Sequence, residues 1–415
     1  NLDTVSSTLN HIENDVTAHK AEIATSTQLG HVKVGQNLAI DSDGTLHAQA
    51  SGGKKVVRFV IGTSKAGWTA KDCDYLCDGE GDQVEIIQAL NALPATGGEV
   101  VILDGTYYIK ESINIPKDNV SIRGNGNATI LKRMYDSTDE NSGDTARGLI
   151  TLDGKSGCKI QGLQIDGNEA AYNESYNDGI FLYSSSNNTI TGITCNNNEI
   201  GISLYSSSDN TITGNTCNNN YDGIFLYSSS NNNTVTGNTC NNNSDGINLS
   251  SSSNNNMVTG NTCNDNYYGI SLYSSSDNTI TGNTCYNNYY GIYLYSSSDN
   301  TITGITCKNN YDGIFLYSSS NNTITGITCN NDSSGICIYS SSDNNTITGN
   351  TCNNNNSGIY LSSSSNNTIT GNTCIRGTGQ TNDYAASQYT IRLSGSSNNY
   401  NLISSNNCMG KAVVI

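Results

Sequence analysis

A Gly-Ile pair returns at Gly179, Gly201, Gly223, Gly246, Gly269, Gly291, Gly313, Gly335 and Gly358, at intervals of 22 or 23 residues. A repeat of this length is one supersecondary unit that buries its apolar side only by stacking on its neighbours. Cysteine keeps the same rhythm, at Cys195, Cys217, Cys240, Cys263, Cys285, Cys307, Cys329, Cys352 and Cys374. The longer copies carry their extra residue as one more Asn, as in Asn231 to Asn233. An insertion confined to a turn leaves the strands in register. Only 34% of the residues are hydrophobic, which by itself reads as disorder, but periodic placement lets a solenoid bury a continuous core with a few apolar residues per turn.

Alternation within "GIFLYSSSNNTITGITCNNN", which begins at Gly179, assigns the side chains. Ile180 and Leu182 point inward, Phe181 and Tyr183 outward, Ile190 inward, and Cys195 closes a third short strand. Three parallel strands per coil, about 4.8 Å apart along the axis, give roughly a dozen coils and a rod of about 60 Å. Stacking turns each position into a column. Asn215, Asn238, Asn261, Asn283, Asn350 and Asn372, exchanged for Ile193, Ile305 and Ile327 elsewhere, read as an inward Asn ladder. The Cys column tempts a soft-metal reading, yet parallel thiols all point one way whereas metal ligands converge. Small apolar filler is the better account, with disulfides between neighbouring coils next. Cys73 and Cys77 allow a local disulfide or burial.

From residue 178 to 374 the repeats resemble the carbohydrate-binding and sugar-hydrolase repeats of NosD-type β-helix proteins. Upstream, "DQVEIIQALNAL" predicts a short helix with Asp82 and Glu85 in capping-box spacing and Pro94 as its stop. With the strands of "GGEVVILDGTYYIKESINIPKDNVSIRGNG" it resembles the entry of the pectate-lyase-like superfamily, where a helix covers the open end. Such a cover protects an otherwise unpaired edge. The resemblance implies an all-β, right-handed parallel β-helix.

Apolar residues at Leu2, Val5, Leu9, Ile12, Val16 and Ile23, with His19 completing the spacing, predict a coiled-coil stalk over 1–24. One amphipathic helix is the alternative. Residues 25–53 read as a small β collar, and "TQLGHVKVG" with "DGTL" resembles a connector common in tail fibre proteins of phages and prophages. The expected divisions are then 54–130 for the entry with its capping helix, 131–178 for irregular coils with acidic loops, 179–374 for regular repeats, and 375–415 for C-terminal coils and cap. The chain opens at Asn1 without Met, so an upstream part is expected.

Thirty-six acidic against 19 basic residues give a formal net charge of -17. That surface repels phosphate backbones and anionic lipid, and no apolar run is long enough for membrane insertion. Chemistry is sought where the pattern breaks. Asp166, Glu169, Glu174 and Asp178 are weak candidates for an acid/base pair, and Asp136, Asp139, Glu140 and Asp144 for Ca2+ held by oxygen ligands. Their loops lie in neighbouring coils and could converge into one acidic pocket. Asp222 and Asp245, and Asp277 and Asp299, occur in adjacent coils, where Asp reads as turn chemistry. The outward column Tyr183, Tyr205, Tyr227, Tyr273, Tyr295, Tyr317, Tyr339 offers rings for mutual stacking, for burial between protomers, or for a glycan.

Together these features imply a homotrimeric tail fibre or tailspike-like protein, joined through residues 2–23 and its β-helix faces. It would attach the virion tail, through an upstream component, to a host-surface polysaccharide without a required cofactor. A tailspike depolymerase, acting by hydrolysis or elimination, is the second reading. A passive spacer or adhesin on a prokaryotic cell surface is the third. Long loops between coils would favour the enzyme, and the repeats have none.

Overall fold

The computed structural model describes residues 57–137, 146–172, 176–376, 389–395 and 397–409, together with four short strands within residues 28–48. It divides into two units, Asn1–Val56 and Val57–Ile415. In the first, Gln28–Leu29 pairs antiparallel with Val32–Lys33, and Leu38–Ile40 with Leu46–Ala48. These ribbons fall where the sequence predicts alternating strands. The heptad residues 2–23 lie outside the described residues.

The second unit is a parallel β-helix. One wall is a 12-stranded sheet that starts at Ile113–Asn114, includes Gly148–Asp153 and Asp178–Tyr183, and ends at Tyr389–Ser394. Lys159–Asp166 is long enough to pair with both Thr189–Thr191 and Thr194–Asn196, so one strand feeds the two remaining walls. Like pairs with like along each column, as in Ile180 to Ile202 and Cys195 to Cys217. The inward side chains Ile180, Leu182, Ile190 and Cys195 are fully buried, as alternation requires.

Steric room explains the Gly-Ile rhythm. A Cβ on Gly179 would lie 2.6 Å from the Gly201 carbonyl oxygen and 3.2 Å from Cys195 Sγ. Neither the stacked backbone nor the core column leaves space for a side chain there. The Asn and Ser richness follows from the corners. Ser184, Asn187 and Asn197 hold φ of 46, 59 and 58°, a left-handed region that short polar residues tolerate best.

Asparagine ladders are more extensive than the single column read from the sequence. Asn188, Asn210 and Asn233 begin a second buried column, and Asn198, Asn220 and Asn243 a third. The rule is constant. Asn215 donates from its backbone N (2.9 Å) and its Nδ2 (3.0 Å) to Oδ1 of Asn238, and its Nδ2 also donates to the Ile190 carbonyl. A buried Asn followed by another Asn in the next coil therefore satisfies polar groups with the next copy of itself.

Helix Gln83–Ala92 covers the first coils with Ile86, Ala89 and Leu90 fully buried, and it ends at extended Leu93 before Pro94. The capping box expected from Asp82 and Glu85 is not formed. Asp82 adopts a helical backbone, which turns its carboxylate to the strands, where it accepts from the Gly79 and Tyr108 amides at 2.7 Å each. All 14 cysteines are unpaired, so neither the coil-to-coil disulfides nor a Cys73–Cys77 bridge is present. Burial pushes the Cys195 thiol up, whereas hydrogen bonds from Cys195 and Cys240 pull the Cys217 thiol between them down.

Candidate functional site

The outer face of the 12-stranded sheet carries the aromatic columns, and a bend at each Gly adds the residue before it to that face. Asp178 is thereby swung outward next to Phe181 and Tyr183. The sequence places Phe181 in solvent, but it is fully buried. Arg147 lies over it, 5.1 Å from the ring centroid, and also over Tyr176 at 4.9 Å and Tyr227 at 5.6 Å. Alternation gave the direction of Phe181 correctly; a residue 34 positions earlier supplies the cover.

The same arginine answers for Asp178. Arg147 Nε donates to Asp178 Oδ2 at 2.7 Å, both side chains are buried, and the Ser203 hydroxyl donates to the same oxygen. Burial disfavours the Arg147 charge, yet Asp178, the facing tyrosines and the hydrogen bond together hold the guanidinium above its ordinary range. Arg133, fully buried, donates to the carbonyls of Arg147 (3.2 Å) and Asp178 (2.5 Å) and to Asn177 Oδ1 (3.3 Å). Asn177 in turn donates to Asp136 Oδ1 at 3.0 Å and accepts from the Ser137 amide. The segments flanking the two acidic loops are thus tied together by arginines that the acidic composition of the loops hides in the sequence.

Of the four carboxylates read as an acid/base set, the three described ones are not gathered at one place. Asp178 sits in the buried cluster just described, whereas Asp166 and Glu169 line an open groove of about 560 Å³ with Lys132, Asn168, Ala170 and Asn197. There Asp166 is 3.5 Å from Lys132 Nζ and accepts from the Asn168 amide and Asn197 Nδ2. Glu174, Asp139, Glu140 and Asp144 lie outside the described residues. Asp136, the remaining Ca2+ candidate, is held by Asn177.

Beyond Asp178 the column before Gly continues with Asp222 and Asp245, paired in register. The sequence reads them as turn residues. They instead open strands and are buried, with exposures of 4% and 5%. Burial and the neighbouring Asp245 push Asp222 well up, and burial pushes Asp245 up to about 6. Asp312, three coils further along the same column after Tyr268 and Tyr290, is likewise pushed up to about 6. Asp277 and Asp299 are the turn residues expected, at φ of 57 and 58°.

The tyrosines of the outer column stack on each other. Ring centroids lie 5.4 Å apart for Tyr183 and Tyr205, 4.7 Å for Tyr205 and Tyr227, 6.2 Å for Tyr273 and Tyr295, 5.2 Å for Tyr295 and Tyr317, and 5.8 Å for Tyr317 and Tyr339. A second ladder that the sequence reading passed over, Tyr267, Tyr289 and Tyr311, is exposed and stacks with nearly parallel rings, centroids 4.8 and 4.7 Å apart. Its signal was a tyrosine two residues before Gly269, Gly291 and Gly313.

Two family models match the chain. The one described as periplasmic copper-binding protein (NosD) covers residues 133–304, and the one described as right handed beta helix region covers residues 268–414. The fold is a right-handed parallel β-helix. No curated protein sequence matches it. Among solved structures, the Azotobacter vinelandii mannuronan C-5 epimerase AlgE6 A-module is 20% identical with a TM-score of 0.65, over 81% of this chain and 97% of that one. The Dettilon tailspike protein is 19% identical with a TM-score of 0.58, over 76% and 66%. The catalytic domain of a GH87 alpha-1,3-glucanase is 17% identical with a TM-score of 0.54, over 76% and 67%. At such identities the likeness concerns the fold alone.

Copper, named in the first family description, does not fit the cysteine column of this β-helix: its thiols are sealed in the core and aligned in register rather than convergent. Among the described residues one other group has metal-ligand proximity, Cys77, Asp82 and Glu85 within 4.8 Å. Both Asp82 oxygens are already committed to backbone amides. No described helix is long and apolar enough to cross a membrane.

Proposed function

We propose that this chain is the receptor-binding part of a virion tail fibre or tailspike-like protein, and that it attaches to a host cell-surface polysaccharide. The observation that carries this reading is the outer sheet face, where aromatic rings rise coil after coil around buried hydroxyls, amides and carboxyls. Apolar rings beside hydrogen-bonding groups match the two kinds of surface on a sugar. The tailspike among the structural relatives supports an extracellular setting, and the alternative setting is a prokaryotic cell surface. Assembly as a homotrimer through residues 2–23, joined to an upstream virion component, belongs to the same proposal.

A depolymerase is the second reading, favoured by one observation: Asp222 and Asp245 stack in register in adjacent coils, and burial pushes both carboxyls up. Both readings are tested by incubating the protein with polysaccharide extracted from host surfaces and measuring retention and new reducing ends or unsaturated termini. Retention without new termini is expected. New termini would establish the depolymerase, and the absence of both would leave a spacer. Solution mass gives the trimer, and a monomer would remove it.

A further inference from the structure

One coil of the outer face lacks every aromatic residue that its neighbours carry. The strand regions read YDGIFLY from Tyr221, SDGINLS from Ser244 and YYGISLY from Tyr267. In register, Asn248 stands against Phe225, and Ser250 against Tyr273. No ring contact among the described residues joins the aromatic group that ends at Tyr227 to the one that begins at Tyr267. The result is a notch one coil wide.

Its dimensions follow from the repeat. Adjacent rings in the Tyr267 ladder are 4.8 and 4.7 Å apart, so residues two coils apart, such as Tyr221 and Tyr267, are separated by about 9.6 Å along the axis. A single ring between them would sit about 4.8 Å from each, inside the usual range for aromatic contact. Tyr267 stacks on Tyr289 and meets Tyr268 edge-on at 4.7 Å, no ring contact reaches it from the preceding coils among the described residues, and Tyr221 is 61% exposed. The floor of the notch is polar and incompletely satisfied. Asn248 Nδ2 donates weakly to Asp222 Oδ2 at 3.4 Å, while Asn248 Oδ1 and the buried Asp222 Oδ1 make no hydrogen bond. Asp245 accepts from the Ser271 hydroxyl beside them at 2.6 Å.

We infer that this notch is a subsite for one pyranose ring of a neutral polysaccharide, walled by Tyr221 and Tyr267 and hydrogen-bonded by Asn248 above the Asp222 and Asp245 carboxyls. The inference rests on the glycan-binding reading and gives it a location and a ligand class. A sugar ring has C–H faces for the walls and hydroxyls for the half-buried Asn248 amide at the floor. A net charge of -17 disfavours a polyuronate.

The test uses the full chain and calorimetric titration with neutral hexaoses of glucose, mannose and galactose, and with oligomannuronate as the anionic probe. The pair Ser244→Tyr and Ser250→Tyr fills the notch with the residue that neighbouring coils already accommodate, and Tyr267→Ala removes an exposed wall. At least one neutral hexaose is expected to bind, with a tenfold or greater loss in both variants and unchanged melting. Equal binding after filling would overturn the notch while the glycan-binding reading stood. Preference for oligomannuronate would overturn the neutral class. Failure of every probe to bind the native protein would overturn both.

Discussion

In the coils after Gly179 a buried polar side chain meets a copy of itself, as Asn215 meets Asn238 and Asn238 meets Asn261. In the irregular coils before it, Arg133 and Arg147 meet partners that occur once: Asn177, Asp178, Phe181. Repetition distributes the work so that each ladder member serves two neighbours. The irregular region concentrates it, and one guanidinium there holds a carboxylate, a buried ring and two chain segments. Regular coils are therefore expected to yield locally to substitution, in the nearest-neighbour manner of solenoids, and the Arg147 cluster to yield as a unit.

The largest effect should come from Arg147→Ala. It leaves Asp178, fully buried, as an uncompensated charge and uncovers Phe181. Denaturant titration should show a loss of about 3–5 kcal/mol; a loss under about 1 kcal/mol would erase the contrast between the regions. Next, Asn261→Ala removes the oxygen that accepts from Asn238 N and Nδ2 and the amide that donates to the Val235 carbonyl. A cost of about 1–3 kcal/mol is expected, with faster hydrogen exchange confined to the coils on either side. Exchange spreading to the capping helix would contradict local yielding.

The smallest effect sharpens the comparison inside the regular stack. Asp332 occupies an Asn column, accepts from Asn310 N and Nδ2 through Oδ1, and has no partner for Oδ2. Burial pushes its carboxyl up to about 9. A raised folded pKa means that the contribution to stability is present below the unfolded value near 3.8 and is lost as pH rises through about 9. Asp332→Asn restores the ladder, so it should raise the melting temperature at pH 8 by a few degrees and flatten its decline between pH 4 and 9. An unchanged slope would show that Asp332 is ionised in place.

The fold was legible because its determinants recur: Gly179 and its copies mark the bends, Ile180, Leu182, Ile190 and Cys195 mark the interior, and Pro94 ends the helix. Singular contacts were not legible. Phe181 differs from Phe225 only through Arg147, and no periodicity announces a lid drawn from another coil. Asp82 and Glu85 had the spacing of a capping box, but spacing does not reveal that Tyr108 and Gly79 present amides to Asp82 first. Asp222 and Asp245 looked like turn residues because Gly follows them, and only the bend at that Gly sets them on the sheet face. The notch was visible as SDGINLS, a departure whose meaning depends on the rings two coils apart.

The buried Asn ladders have a direction: the backbone N of one Asn donates to Oδ1 of the Asn in the following coil. Two regular coils that are pulled apart expose complementary edges, and any further copy presents the same pair of edges in the same order. In-frame duplication or deletion of one copy therefore creates no new kind of contact and changes the reach of the protein by about 4.8 Å. Length becomes a trait that a lineage can adjust in single steps, by recombination within the gene, while the capped end and the notch stay as they are.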